Sequence, residues 1–116
     1  MIREAGRDPV TDPPHEPCAC SDLANYRELG MDDRYAEVSV HVCRDCGRYW
    51  LRYFYEQEAF TASGRWYLGA LTTGQLAALT ANNAKSVLEG LDWYYYGGSF
   101  YFGKSGKTSG KISLFP

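Results

Sequence analysis

Four cysteines in two tight pairs constrain this chain more than any other feature. They are Cys18-Ala19-Cys20 and Cys43-Arg44-Asp45-Cys46, with 22 residues between the pairs. The first 17 residues are polar and hold four of the five prolines, unlike the apolar core of an export signal. The expected compartment is therefore the reducing cytoplasm, where stable disulfides are rare. Clustered cysteine pairs in such a chain favour a metal site over disulfides. A redox pair at Cys43 and Cys46 would follow a strand and open a helix. Here Cys46 is followed by Gly47 and then by strand-like residues. Four free buried thiols are the bland alternative. If Cys18, Cys20, Cys43 and Cys46 all ligate, they complete a tetrahedral set with no open position, and the metal is structural. Zinc is the expected ion, as four thiolates without evident redox partners suit it.

The second pair carries a resemblance. His41-Val42-Cys43-Arg44-Asp45-Cys46-Gly47-Arg48-Tyr49-Trp50 resembles the C-x-x-C-G-x-x-W knuckle of the zinc-ribbon fold group. Such a turn lets two thiolates and several backbone N–H groups converge on one ion, and Gly47 supplies the positive φ it often needs. The resemblance implies a structural zinc joining the N-terminal segment to a hairpin. Zinc ribbons normally use C-x-x-C twice, and Cys18-Ala19-Cys20 is one residue short. A mononuclear iron site of rubredoxin type is the metal alternative. His15, three residues before Cys18, and His41 keep a His-for-Cys exchange open.

The rest of the chain reads as a small α+β domain. Its 116 residues can bury roughly two thirds of their unfolded surface, enough for a core. Residues 1–17 are expected to be an extended arm, and residues 18–116 a single zinc-binding domain. Asp22 is placed to cap a short helix carrying Leu23, Tyr26 and Leu29, with Gly30 as its stop. Ala36, Val38, Val40 and Val42 alternate with Glu37, Ser39 and His41, which predicts a half-buried strand. Residues 48–61 read as a second, aromatic strand, and Arg65-Trp66-Tyr67-Leu68 as a third. Thr72-Thr73-Gly74-Gln75 fits a capping box. It opens one kinked helix, or two short ones with Thr80 starting the second. Residues 93–102 read as a strand bent at Gly97-Gly98, residues 103–110 as a turn, and Lys111 to Phe115 as a last strand. The expected fold is a small antiparallel sheet with a helical segment and a knuckle-like metal site.

Two motifs are set aside. Gly103-Lys104-Ser105-Gly106-Lys107-Thr108 looks like a phosphate-binding loop, but Tyr101 stands where its first glycine belongs. Too few residues follow Thr108 for the required helix. Gly97-Gly98-Ser99-Phe100-Tyr101 lacks the last glycine of a nucleophile elbow. No nucleophile and base stand at a spacing that supports catalysis, and Asp32-Asp33 is an adjacent pair in a loop.

Arg48, Trp50 and Arg52 share one face of the second strand, opposite Tyr49, Leu51, Tyr53 and Tyr55. One of these two aromatic faces is expected to pack on the helix through Ala84, Val87 and Leu88, and the other to be exposed or covered by another segment. Exposed, the strip of Arg48, Trp50 and Arg52 has the composition of an interface hot spot. Covered, it becomes an internal contact, with the arm over Trp50 and the arginines stacked on rings. Trp93 and Tyr95 raise the same question. The expected role is a non-enzymatic protein–protein interaction module, such as a small acidic bacterial inhibitor or immunity protein. A nucleic-acid-associated zinc ribbon is the runner-up, using Arg48, Trp50, Arg52, Lys104, Lys107 and Lys111. The net charge of −2 opposes it. An enzyme with a site assembled from distant residues is the third reading. No apolar run approaches the roughly 20 residues of a membrane span.

Overall fold

A computed structural model describes residues 18–57 and 60–114. The arm expected over residues 1–17, His15 included, lies outside them. Six strands form one antiparallel sheet in which spatial order follows chain order. They are β1 (Leu23–Met31), β2 (Glu37–Cys43), β3 (Tyr49–Tyr55), β4 (Arg65–Leu71), β5 (Tyr94–Gly97) and β6 (Gly106–Thr108). Two short helices, α1 (Thr73–Ala78) and α2 (Ala84–Glu89), connect β4 to β5. A 3-10 turn at Ser99–Tyr101 follows β5.

The alternation in β2 and β3 divides the sheet into two faces. Val38 pairs with Tyr53 and Val40 with Leu51, so these four side chains share a face. They pack against Leu79, Ala84 and Leu88 of the helical segment, and against Tyr67, Leu71 and Tyr94. Ile112 and Leu114 close the same core. The helical segment thus packs on the Leu51 and Tyr53 face, a choice that aromatic residues on both faces left open in the sequence. The opposite face carries Ser39, His41, Trp50, Arg52, Leu68 and Tyr95.

The helical segment is two helices. Thr72 is the N-cap of α1: its Oγ1 accepts from Gln75 N–H (3.0 Å), and Gln75 Oε1 accepts from Thr72 N–H (2.8 Å). The capping box satisfies two otherwise orphaned donors. Between the helices, Thr80 and Asn83 exchange backbone-to-side-chain hydrogen bonds of 2.8 and 3.1 Å.

Four sequence expectations change. The second strand, expected over residues 48–61, ends at Tyr55, and beyond it the Gln57 backbone N–H and O bond the Ser63 hydroxyl (2.9 and 2.8 Å). The helix expected from Asp22 is strand β1, paired with β2 from Leu23↔Cys43 to Met31↔Glu37. Two register shifts interrupt that pairing, between Asn25 and Arg27 and between Glu28 and Gly30. A bulge adds a residue and reverses the alternation beyond it. Leu23 and Leu29 therefore serve opposite faces, and their spacing imitates a helix. The strand expected over Lys111–Phe115 is instead β6, inside the presumed turn. The described part of that segment has no strand pairing, although Ile112 N–H donates to Glu89 Oε2 (2.8 Å). The strand expected through Phe102 ends at Gly97. Trp66 lies directly across from Gly97, and a Cβ there would stand 2.3 Å from the indole. Glycine is the residue that admits this ring.

Asp32 organises the β1–β2 turn. Its carboxylate accepts from the backbone N–H of Arg34 and Ala36 (both 2.9 Å), from the Arg34 guanidinium (3.1 Å) and from the Tyr53 hydroxyl. Burial alone would raise its pKa. The Tyr53, Ala36 and Arg34 bonds outweigh burial and hold it below the usual carboxylate range. The stability it contributes is therefore present above the ordinary carboxyl value of about 4, and is lost as pH falls through the lowered native value. Asp32→Asn is expected to cost about 1–3 kcal/mol near neutral pH. Its melting temperature should also fall less than wild type's between about pH 5 and pH 2. Parallel curves for the two proteins in that window contradict this role.

Candidate metal centre

The four cysteines arrive from two segments. Cys18 and Cys20 precede β1, Cys43 ends β2, and Cys46 lies in the turn to β3. That turn is closed by Cys43 N–H to Arg48 O (2.9 Å) and Gly47 N–H to Cys43 O (2.8 Å), with Gly47 at φ +81°. The N-terminal segment is tied to it by Arg44 N–H to Asp22 O (2.9 Å). Cys20 adopts φ +52°. The left-handed residue wraps the short C-x-C pair so that both sulfurs face one point.

The sulfur separations describe a socket. Cys18 and Cys43 Sγ are 3.6 Å apart, Cys18 and Cys20 3.7 Å, and Cys20 and Cys46 3.5 Å. All four sulfurs lie within 4.8 Å of one another. A zinc–sulfur bond of about 2.3 Å gives a tetrahedron with edges of about 3.8 Å. Disulfide sulfurs would stand only about 2.05 Å apart. The donors thus fit a tetrahedral thiolate ion of zinc or iron size. Among the described residues, no histidine or carboxylate joins the cluster. His41 Nε2 instead lies 3.0 Å from Ser39 Oγ.

The electrostatics also call for a cation. Backbone N–H groups of Cys46 and Asp45 converge on Cys43 and lower its pKa to about 7, so a thiolate forms there readily. Burial pushes the Cys20 thiol well up, with the neighbouring sulfurs adding to it. Cys18 accepts a hydrogen bond from Cys20 N–H (3.3 Å), yet burial and the sulfurs of Cys46 and Cys43 leave it raised. Several thiolates cannot share this volume unless an ion neutralises them.

The aromatic residues beside the socket are rearranged relative to expectation. Trp50 is on the face opposite the helices, as its alternation requires, but it is only 1% exposed. Tyr95 stacks on it at 5.8 Å, Trp93 meets it edge-on at 6.3 Å, and Cys20 and Cys43 pack beside it. These covers remove Trp50 from any docking surface. Arg48 is half-buried. Arg52 is half-buried with its guanidinium over the Phe54 ring (5.2 Å). Trp93 and Tyr95 keep partly exposed rims, and the Lys107 ammonium lies 4.5 Å from the Trp93 ring.

The open part of this face is a groove of about 360 Å³ lined by Leu23, His41, Arg52, Trp66 and Leu68. Sequence reading assigned Trp66 and Leu68 to a strand but not to a face. The missing signal is the β3–β4 register, which pairs Arg52 with Leu68 and Phe54 with Trp66. The set-aside motifs stay structural. Gly106–Thr108 is an edge strand, and Ser99 Oγ accepts from Gly64 N–H (3.0 Å). No helix among the described residues is long and apolar enough to cross a membrane.

Cys46 is the discriminating position because it is exposed. An exposed free thiol replaced by alanine changes stability by no more than about 0.5 kcal/mol. A ligand of a structural ion carries part of about 10–16 kcal/mol of binding free energy. Cys46→Ala is expected to lose the bound metal and melt far below wild type, and so is wild type stripped by a chelator. Metal content and melting temperature both equal to wild type contradict the socket.

No family model matches the chain, and no curated protein or solved structure matches it.

Proposed function

We propose that the protein is a zinc-stapled, non-enzymatic binding module that docks a protein partner on the uncovered face of its sheet. The observation that carries this reading is the groove formed by Leu23, His41, Arg52, Trp66 and Leu68, beside the cysteine cluster. It combines a partly exposed tryptophan and an arginine with aliphatic walls, the composition of an interface anchor site. The matching partner segment carries apolar side chains for Trp66 and Leu68 and a carboxylate for Arg52. An inhibitor or immunity-type role is the specific form of this reading, in keeping with the small size and net charge of −2.

Zinc suits a set of four thiolates with no other donor type, and such a set leaves no position for substrate. The ion then serves the fold. The compartment carried by this reading is the cytoplasm, where an exposed metal-bound thiolate such as Cys46 is protected from disulfide formation. Phosphate recognition finds less support. Lys107 is engaged with the Trp93 ring, and the net charge of −2 opposes such recognition. Among the acids, Asp32 is committed to its turn and Glu89 to Lys85 and Ile112.

The tagged protein, purified from its native host, is expected to bring down one stoichiometric protein. Titration of that partner should then show Kd rising about 30-fold or more for Trp66→Ala and Arg52→Ala, as at an interface hot spot of at least about 2 kcal/mol. Circular dichroism of each variant verifies that the fold is kept. Affinity unchanged by both substitutions contradicts the surface. Nuclease-sensitive material whose binding falls steeply with salt would replace it with a nucleic-acid role.

A further inference from the structure

We propose that Trp50 is the outer hydrogen-bond donor of the metal centre, its indole N–H donating to the Cys20 thiolate and fixing that ligand. The inference rests on the metal-site reading above. Trp50 is almost wholly buried, and its Nε1 has no hydrogen-bond acceptor within normal distance among the described residues. Buried indole N–H groups ordinarily find a partner, so an orphaned one marks a missing charge or ligand state. Trp50 packs in the same cluster as Cys20 and Cys43.

The distribution of donors over the sulfurs points to Cys20 as the acceptor. Cys43 has the N–H groups of Cys46 and Asp45, and Cys18 has the N–H of Cys20. Cys20 is buried in the cluster with Trp50, and its sulfur meets only other sulfurs, those of Cys18 (3.7 Å) and Cys46 (3.5 Å), among the described residues. The ring is held in place by Tyr95 stacked on it and by the edge of Trp93. With a metal held by the four cysteines, the Cys20 sulfur would be the acceptor that the orphaned Trp50 indole N–H lacks. Donors of this kind fix ligand orientation, and their loss typically weakens metal affinity 10–100-fold.

The test uses the whole protein loaded with an NMR-active cadmium isotope. Through-bond coupling is sought between the metal and an indole proton, assigned to Trp50 by its loss in Trp50→Phe. Should that variant not fold, assignment proceeds by elimination with Trp66→Phe and Trp93→Phe. Coupling to the Trp50 indole proton is the expected result. Coupling confined to backbone amide and cysteine β protons overturns the proposal while leaving the metal centre intact. Failure of wild type to bind stoichiometric cadmium overturns the metal centre itself, and the proposal with it. In the cobalt-loaded protein, Trp50→Phe should shift the sulfur-to-metal charge-transfer band to lower energy. Trp93→Phe, which removes a ring from the same cluster, should leave it in place. Equal shifts in both variants would mean that Trp50 acts through packing alone.

Discussion

Repulsion among four sulfur ligands held within 4.8 Å of one another is the constraint on which the rest of the sheet depends. Backbone N–H groups at the Cys43 turn make the first thiolate easy, and burial at Cys20 makes the next one hard. A tetrahedral cation held there would resolve the conflict and act as a cross-link. Such a link would tie the segment before β1 to the β2–β3 hairpin. It would reinforce an edge strand whose pairing is interrupted by two register shifts. Those irregularities also discourage pairing with another chain. The same edge is thus protected from aggregation.

The two faces of the sheet are covered unequally. Helices α1 and α2 and the segment around Ile112 and Leu114 cover most of one face. On the other, Cys20, Trp50, Trp93 and Tyr95 fill only the end near the metal socket. The remaining surface, from Leu23 across Arg52 to Trp66, has no covering element among the described residues. Leu23, which pairs with Cys43, and His41 place this open groove beside the cysteine cluster.

Much of this was legible because the signals are local. The cysteine spacing indicated the socket, the Val38–Val42 alternation fixed the faces, and Thr72 with Gln75 marked the start of α1. What was hidden depends on register or on distant partners. The bulges in β1 break period two and place Leu23 and Leu29 at a spacing that reads as helical. Trp50 looked like a surface anchor because nothing nearby in sequence shows that Trp93 and Tyr95 return to cover it. Arg65 is the sharpest case. It is fully buried, with its guanidinium 3.7 Å from the Phe100 ring centre and 5.3 Å from that of Tyr55. Its hydrogen bonds go to Ser63 O and Ser113 O. Nothing in the sequence around Arg65 announces such a site, because among the described residues its guanidinium meets rings and carbonyls rather than a carboxylate.

The most direct test of the metal-centred account is X-ray absorption on the protein as purified, combined with metal analysis. The account predicts one zinc per chain surrounded by four sulfurs at about 2.3 Å. Substoichiometric metal, or a first shell containing nitrogen or oxygen in place of a sulfur, would contradict it.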